Sequence, residues 1–113
     1  MHEVSLAEGI VDIIEEEALR RGFARVLQVR VAVGELGGVE PDALQFCFDA
    51  VCRGTLAEGA RLCIERVGGQ AWCMDCARAV ALHERFGACP ECGGFKLQMQ
   101  AGDELRLLDL EVQ

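Results

Sequence analysis

The chain has 113 residues, of which 51% are hydrophobic and 27% charged, and its formal net charge is −8. That length suits one ordinary domain, or one domain with a small satellite, and the acidic balance has the wrong sign for a surface that follows phosphate backbones. No apolar run approaches the roughly 18 residues needed to cross a bilayer, and the charged opening MHEVSLAEGI is no secretory leader, so a cytoplasmic chain is expected.

The sequence begins Met1-His2-Glu3. Taken as the mature amino terminus, it sets a free amine one amide bond from an imidazole, since a large second residue protects Met1 from trimming. Amine, His2 amide nitrogen and imidazole can then wrap an ion in adjoining small rings, with the Glu3 amide or a carboxylate as fourth donor. Loss of the amide proton is repaid only by ions with a strong planar preference, which among divalent metals means nickel and copper. On its own the tripeptide reads more simply as a surface histidine near a frayed terminus.

Ser5-Leu6-Ala7-Glu8 has the form of a capping box. Leu6, Ile10, Ile13, Ile14 and Ala18 follow at helical spacing, so a helix is predicted from about Leu6 to Arg21, with Gly22 as its stop. Val26–Val33 alternates, with Leu27, Val29, Val31 and Val33 on one face, and predicts a half-buried strand broken by Gly34-Glu35-Leu36-Gly37-Gly38. Pro41 suits the first position of a second helix, whose stripe is Leu44, Cys47, Phe48 and Val51. Leu62–Val67 is a short strand. Beyond a cysteine-rich segment, Phe95, Leu97 and Met99 alternate, and a last strand runs from about Glu104 to Val112. Its adjacent Leu107-Leu108 predicts a bulge or burial on both faces.

This order predicts an α+β fold: a small sheet packed on two helices, with an inserted four-cysteine, zinc-ribbon-like module. The strands on either side of the module are expected to share the sheet of the first strand. The expected boundaries are 1–68 plus 95–113 for the α+β domain and 69–94 for the module.

Seven cysteines, an odd number, with four in two C-x-x-C pairs, point to thiolate ligation rather than a secreted disulfide framework. Cys73-Met74-Asp75-Cys76 and Cys89-Pro90-Glu91-Cys92 are two tight turns that can each aim both sulfurs at one ion, completing a tetrahedron. Gly93-Gly94 lets the second turn bend its amides toward the sulfurs, and Ala77 holds the equivalent place in the first. With only Trp72, Val80, Leu82 and Phe86 to bury, the module depends on its metal, and structural zinc contributes about 10–16 kcal/mol. Zinc is expected ahead of iron, which would make a rubredoxin-like carrier. Four thiolates leave no open coordination position, so the site is structural. Arg78 and Arg85 against Asp75, Glu84 and Glu91 give no basic stripe for nucleic acid. Cys47, Cys52 and Cys63 read as buried structural thiols and His83 as a surface residue. No Ser/His/Asp set, phosphate-cradling loop or open metal site is visible, so no enzyme is expected.

Several features carry a family likeness together: the start Met1-His2-Glu3 with Ser5-Leu6-Ala7; Val31-Ala32-Val33-Gly34-Glu35-Leu36; Val39-Glu40-Pro41 leading into Leu44-Gln45-Phe46-Cys47-Phe48; Gly59-Ala60; and the two knuckles. Over nearly its whole length the chain thereby resembles the HypA/HybF family of hydrogenase maturation factors. The resemblance implies a nickel metallochaperone for [NiFe]-hydrogenase, in some members for urease too. It implies zinc on Cys73, Cys76, Cys89 and Cys92, and nickel held through the Met1 amine, His2 and the Glu3 backbone, with acidic Glu40 close by. The implied partners are a HypB-like GTPase and the hydrogenase large subunit, with no nucleic acid or membrane, and the chain itself as a monomer or weak homodimer. The family commonly has serine or alanine where Gly37-Gly38 stands, and nothing is transferred to His83. The reading of a different class is a zinc-ribbon adaptor that binds only protein and has no nickel role.

Overall fold

The computed structural model describes residues 2–113. Its elements are α1 (His2–Arg21), β1 (Val26–Gly34), α2 (Pro41–Cys52), β2 (Arg61–Val67), β3 (Gln70–Cys73), β4 (Arg78–Ala81), β5 (Leu97–Ala101) and β6 (Leu105–Val112). This is the expected α+β order, with the strands in two three-stranded sheets, β2-β1-β6 and β4-β3-β5. Val26 donates to the Leu56 carbonyl and Glu35 to that of Val67, so β2 rises in the same direction as β1. Parallel neighbours need a long crossover, and α2 supplies it. Gly34 donates to Glu104, whereas Gln113 donates to Arg25, so β6 runs antiparallel to β1.

Strands β2 and β6 join β1 as expected, but β5 does not. It pairs with β3, setting Ala71 opposite Met99 and Trp72 opposite Gln98. The cause lies in its side chains: Leu97 and Met99 pack on the buried trio Leu36, Ala71 and Leu82.

The chain divides into two compact units. The first comprises the chain up to Val31, Val39–Glu65 and Arg106–Gln113; the second comprises Ala32–Gly38 and Arg66–Leu105. The second unit thus takes in 32–38, 66–68 and 95–105 beside the 69–94 segment, and Leu36 supplies part of its apolar centre.

In the first unit α1 packs against α2. Helix α1 starts at His2, so Ser5 lies inside its first turn and the expected capping box is not the N-terminus. No residue between His2 and Ser5 opposes a helix, and acidic Glu3 in the first turn suits the positive end of the dipole. The buried stripe is Ala7, Ile10, Val11 and Ile14, while Ile13 is 45% exposed. Gly22, at φ 79°, ends the helix with its amide on the Ala18 carbonyl, as predicted. Val29, Val31 and Val33 are buried along β1, but Leu27 is 39% exposed and Val26 is buried instead. On the solvent side of β1, Arg30 reaches both neighbouring strands, pairing with Glu65 and Asp109. Hydrogen bonding to Glu65, then the charge of Asp109, raise the Arg30 pKa. Helix α2 buries Leu44, Cys47, Phe48 and Cys52. Burial, followed by the nearby charge of Asp49, pushes the Cys52 thiol up to about 11, and Cys63 is half-buried.

The second unit has little apolar mass. Besides the Leu36 trio it buries Ala32 and Val33, and Cys73, Val80 and Cys89 as a second small cluster. Trp72 and Phe86, expected inside, are 38% and 88% exposed. In β3 the inward positions go to Ala71 and Cys73, which turns Trp72 outward. Phe86 occupies a turn at φ 67°. Backbone replaces side chains where this unit is tightest. A Cβ on Gly69 would stand 2.0 Å from the Leu82 carbonyl oxygen, and one on Gly34 would stand 2.1 Å from that of Gly102. Leu82 donates its amide to Gly69 across the same gap. Gly69→Ala is therefore expected to cost about 3 kcal/mol, measured by urea unfolding of the zinc-loaded protein. Gly68→Ala, whose Cβ would meet nothing within 4 Å, should stay within about 0.5 kcal/mol of the parent.

Candidate metal centres

The two knuckles bring four sulfurs together at the end of β3 and in the loop after β4. The Sγ atoms of Cys73, Cys76, Cys89 and Cys92 all lie within 4.8 Å of one another, the one group of three or more such ligands among the described residues. Cys73 to Cys92 is 3.7 Å and Cys76 to Cys89 is 3.9 Å. Tetrahedral bonds of 2.3 Å to zinc set sulfurs about 3.8 Å apart, so donor type and spacing both fit that ion. The turns close as the sequence predicts. Cys76 donates its amide to the Cys73 sulfur, and Glu91 donates to that of Cys89, each at 3.4 Å. Gly93 at φ 73° and Ala77 at φ 54° take the same left-handed place in the two knuckles. For alanine that conformation costs about 1–2 kcal/mol, which the closed ring of ligands must hold.

The four sulfurs differ in acidity. Amide donation from Cys92 and Glu91 lowers the Cys89 thiol to about 7, whereas hydrogen bonds with Cys92 and Cys73 push Cys76 up to about 12. Crowded sulfurs do not all ionise by themselves, so binding of the ion displaces protons from them. Around the ring, Arg78 pairs with Glu91 and Lys96 lies 3.8 Å from Asp75. His83 is not part of this group. It is 78% exposed, with Nδ1 2.9 Å from a carboxylate oxygen of Glu35, a contact the sequence did not announce.

The second candidate centre falls at the start of α1. Met1 lies outside the described residues. His2 is exposed, its Nδ1 4.0 Å from the carboxylate of Glu3, which is 15% exposed. That carboxylate accepts the Glu40 amide at 3.3 Å. It is held below the usual range by hydrogen bonds from its own amide first and then from Glu40. Glu40 is the N-cap of α2, at φ −86° and ψ 116°, with its side chain accepting the Asp42 amide at 3.1 Å. Glu3 thus lies against both His2 and the main chain of Glu40. Their roles differ, however: the Glu40 carboxylate faces its own helix, and its main chain faces Glu3. Sequence inspection missed this capping role, although acid-proline-aspartate before an apolar stripe is its signature.

The family model described as hydrogenase/urease nickel incorporation metallochaperone HypA matches residues 1–112. The hydrogenase maturation factor HypA of Methylocella silvestris is 55% identical over 113 residues, covering 100% of both chains. That of Alkalilimnicola ehrlichii is 60% identical over 112 residues, or 99% of each. Among solved structures, a solution structure of a HypA protein shares 26% identity at a TM-score of 0.71, covering 100% of this chain and 97% of the other. The solution structure of the Ni metallochaperone HypA from Helicobacter pylori has the same fold, with a TM-score of 0.69 at 24% identity over 97% and 96% of the two chains.

Stripping the metal with a strong chelator should release one zinc per chain and unfold the second unit, read as loss of amide-exchange protection across β3, β4 and β5. Cys89→Ser should reproduce that loss with zinc present, while protection in α1 and α2 persists.

Proposed function

The chain belongs to the HypA family of nickel metallochaperones for hydrogenase maturation, and from that premise we propose where the cargo sits and how it is handed on. Nickel binds at the amino terminus through the Met1 amine, the amide nitrogens of His2 and Glu3, and the His2 imidazole. Glu40 lies close by without ligating. The observation that carries this reading is the start of α1 at His2. The first amides of a helix have no acceptor within it, so the nitrogens that must lose protons give up no main-chain bond, and the Glu3 amide gives up only its contact with its own carboxylate.

Two ligand chemistries then keep two ions apart. Four thiolates suit zinc and offer no position to a visitor. Amine, amidate and imidazole nitrogens suit a planar ion such as nickel. Because amidates and imidazole are also proton acceptors, acid or a competing protein ligand unravels the chelate, which is what a donor of metal requires. His2 is exposed, so a recipient can reach the ion. The recipients that fit are a HypB-like GTPase and the large subunit of a [NiFe]-hydrogenase, with urease maturation as a further outlet, all in the cytoplasm. The chain passes metal on without turnover.

One residue added ahead of Met1 should abolish tight nickel binding, since it removes the primary amine from the chelate, and His2→Ala should do the same. Zinc content should remain at one per chain in both, as measured by metal analysis and native mass spectrometry of untagged protein. Nickel affinity that survives both changes would leave the zinc-ribbon adaptor as the better account.

A further inference from the structure

We propose that the Glu3 side chain and the main-chain amide of Glu40 act as positioning groups, a tether that holds the first turn of α1 in the conformation the nickel chelate needs. This deepens the amino-terminal reading and rests on it. Glu3 is mostly buried although it sits one residue from an exposed histidine, and its carboxylate accepts the Glu40 amide from 37 residues away. Glu40 cannot turn its own carboxylate to that task, because the carboxylate caps α2 on the Asp42 amide while its carbonyl starts the helix at Leu44. One residue therefore serves two helix starts, α2 through its side chain and α1 through its N–H.

The consequence for nickel is geometric. Two successive main-chain nitrogens close a five-membered ring on an ion only when the N–Cα–C–N torsion, which is ψ, is near zero. Helical ψ of about −42° is close to that, whereas extended ψ of about +135° points the nitrogens apart. His2 is helical, so its amide nitrogen and that of Glu3 already lie on one side. A frayed tripeptide would have to order itself on binding, at a cost in backbone entropy. By tying residue 3 to the α2 cap, the tether meets that cost during folding.

The test compares variants that separate the Glu40 amide from the Glu40 carboxylate. Glu40→Ala loses the cap and keeps the N–H. Glu40→Pro loses both, and its backbone angles of φ −86° and ψ 116° lie near those of proline before proline. Nickel titrations on untagged, zinc-loaded protein should show Glu40→Pro binding roughly tenfold more weakly than Glu40→Ala. Glu3→Ala should weaken binding by a similar factor, Glu3→Gln should recover part of the loss, and the Glu3→Ala/Glu40→Pro pair should be no worse than either alone. The visible absorption of the planar nickel chromophore should be unchanged throughout. Equal affinities for Glu40→Pro and Glu40→Ala, additive losses in the pair, or a shifted spectrum in Glu3→Ala would overturn the tether. Failure of the parent protein to bind nickel at its terminus would instead overturn the site itself.

Discussion

Four sulfurs held within 4.8 Å of one another form the constraint from which the second unit is built. Apart from Ala32 and Val33, its apolar centres are two clusters of three buried residues each, and two of those six are cysteines of the ring, Cys73 and Cys89. Such a core falls far short of what a free-standing domain needs. The cation is therefore the centre around which β3, the knuckles and β4 are arranged. Where ordinary domains spend side-chain volume, this unit brings backbones into contact at Gly34, Gly69 and Gly102. Metal and glycine are complementary here, since the ion supplies the energy and the glycines permit the close approach.

The first unit is organised by conventional means. A central strand, two helices and a stripe of aliphatic side chains give it a core, and Arg30 ties the outer face by reaching Glu65 on one side and Asp109 on the other. Exposed pairs of this kind add little to stability individually. Their geometry nevertheless favours one register, because a slip of one residue would turn the guanidinium toward the buried face. A rigid frame of this sort suits the proposed amino-terminal cargo site, whose few donors would inherit their directions from the helix they begin.

Much of this was legible in the sequence. Helix periodicity, the strand at Val26–Gly34, Pro41 opening α2 and the paired knuckles all follow from local rules, and the zinc ring follows from spacing alone. Each misreading has a physical cause. Ser5-x-x-Glu8 satisfies a capping pattern, yet the helix extends to His2 because Glu3 finds an acceptor's role 37 residues on, which no local window contains. Trp72 looked like core because of its size, but strand alternation gave the inward places to Ala71 and Cys73. Leu97 and Met99 alternate as an edge of any sheet would, and only Leu36, Ala71 and Leu82 decide which sheet receives them. Glu40 was carried over from the family resemblance as an acidic residue, and its place as the N-cap of α2 went unread.

The cysteines outside the ring have a consequence for metal speciation. Cys47 and Cys52 are 7% and 2% exposed, and Cys52 keeps its proton to about pH 11 through burial and the neighbouring Asp49 charge. A thiol covered by apolar packing offers little to a thiophilic cation. Of seven sulfhydryls the chain carries, these two are withdrawn from exchange by the hydrophobic packing of α2. Mis-metallation by copper or stray zinc is thus restrained by the fold itself, and the carrier remains a discriminating one only while that helix stays seated.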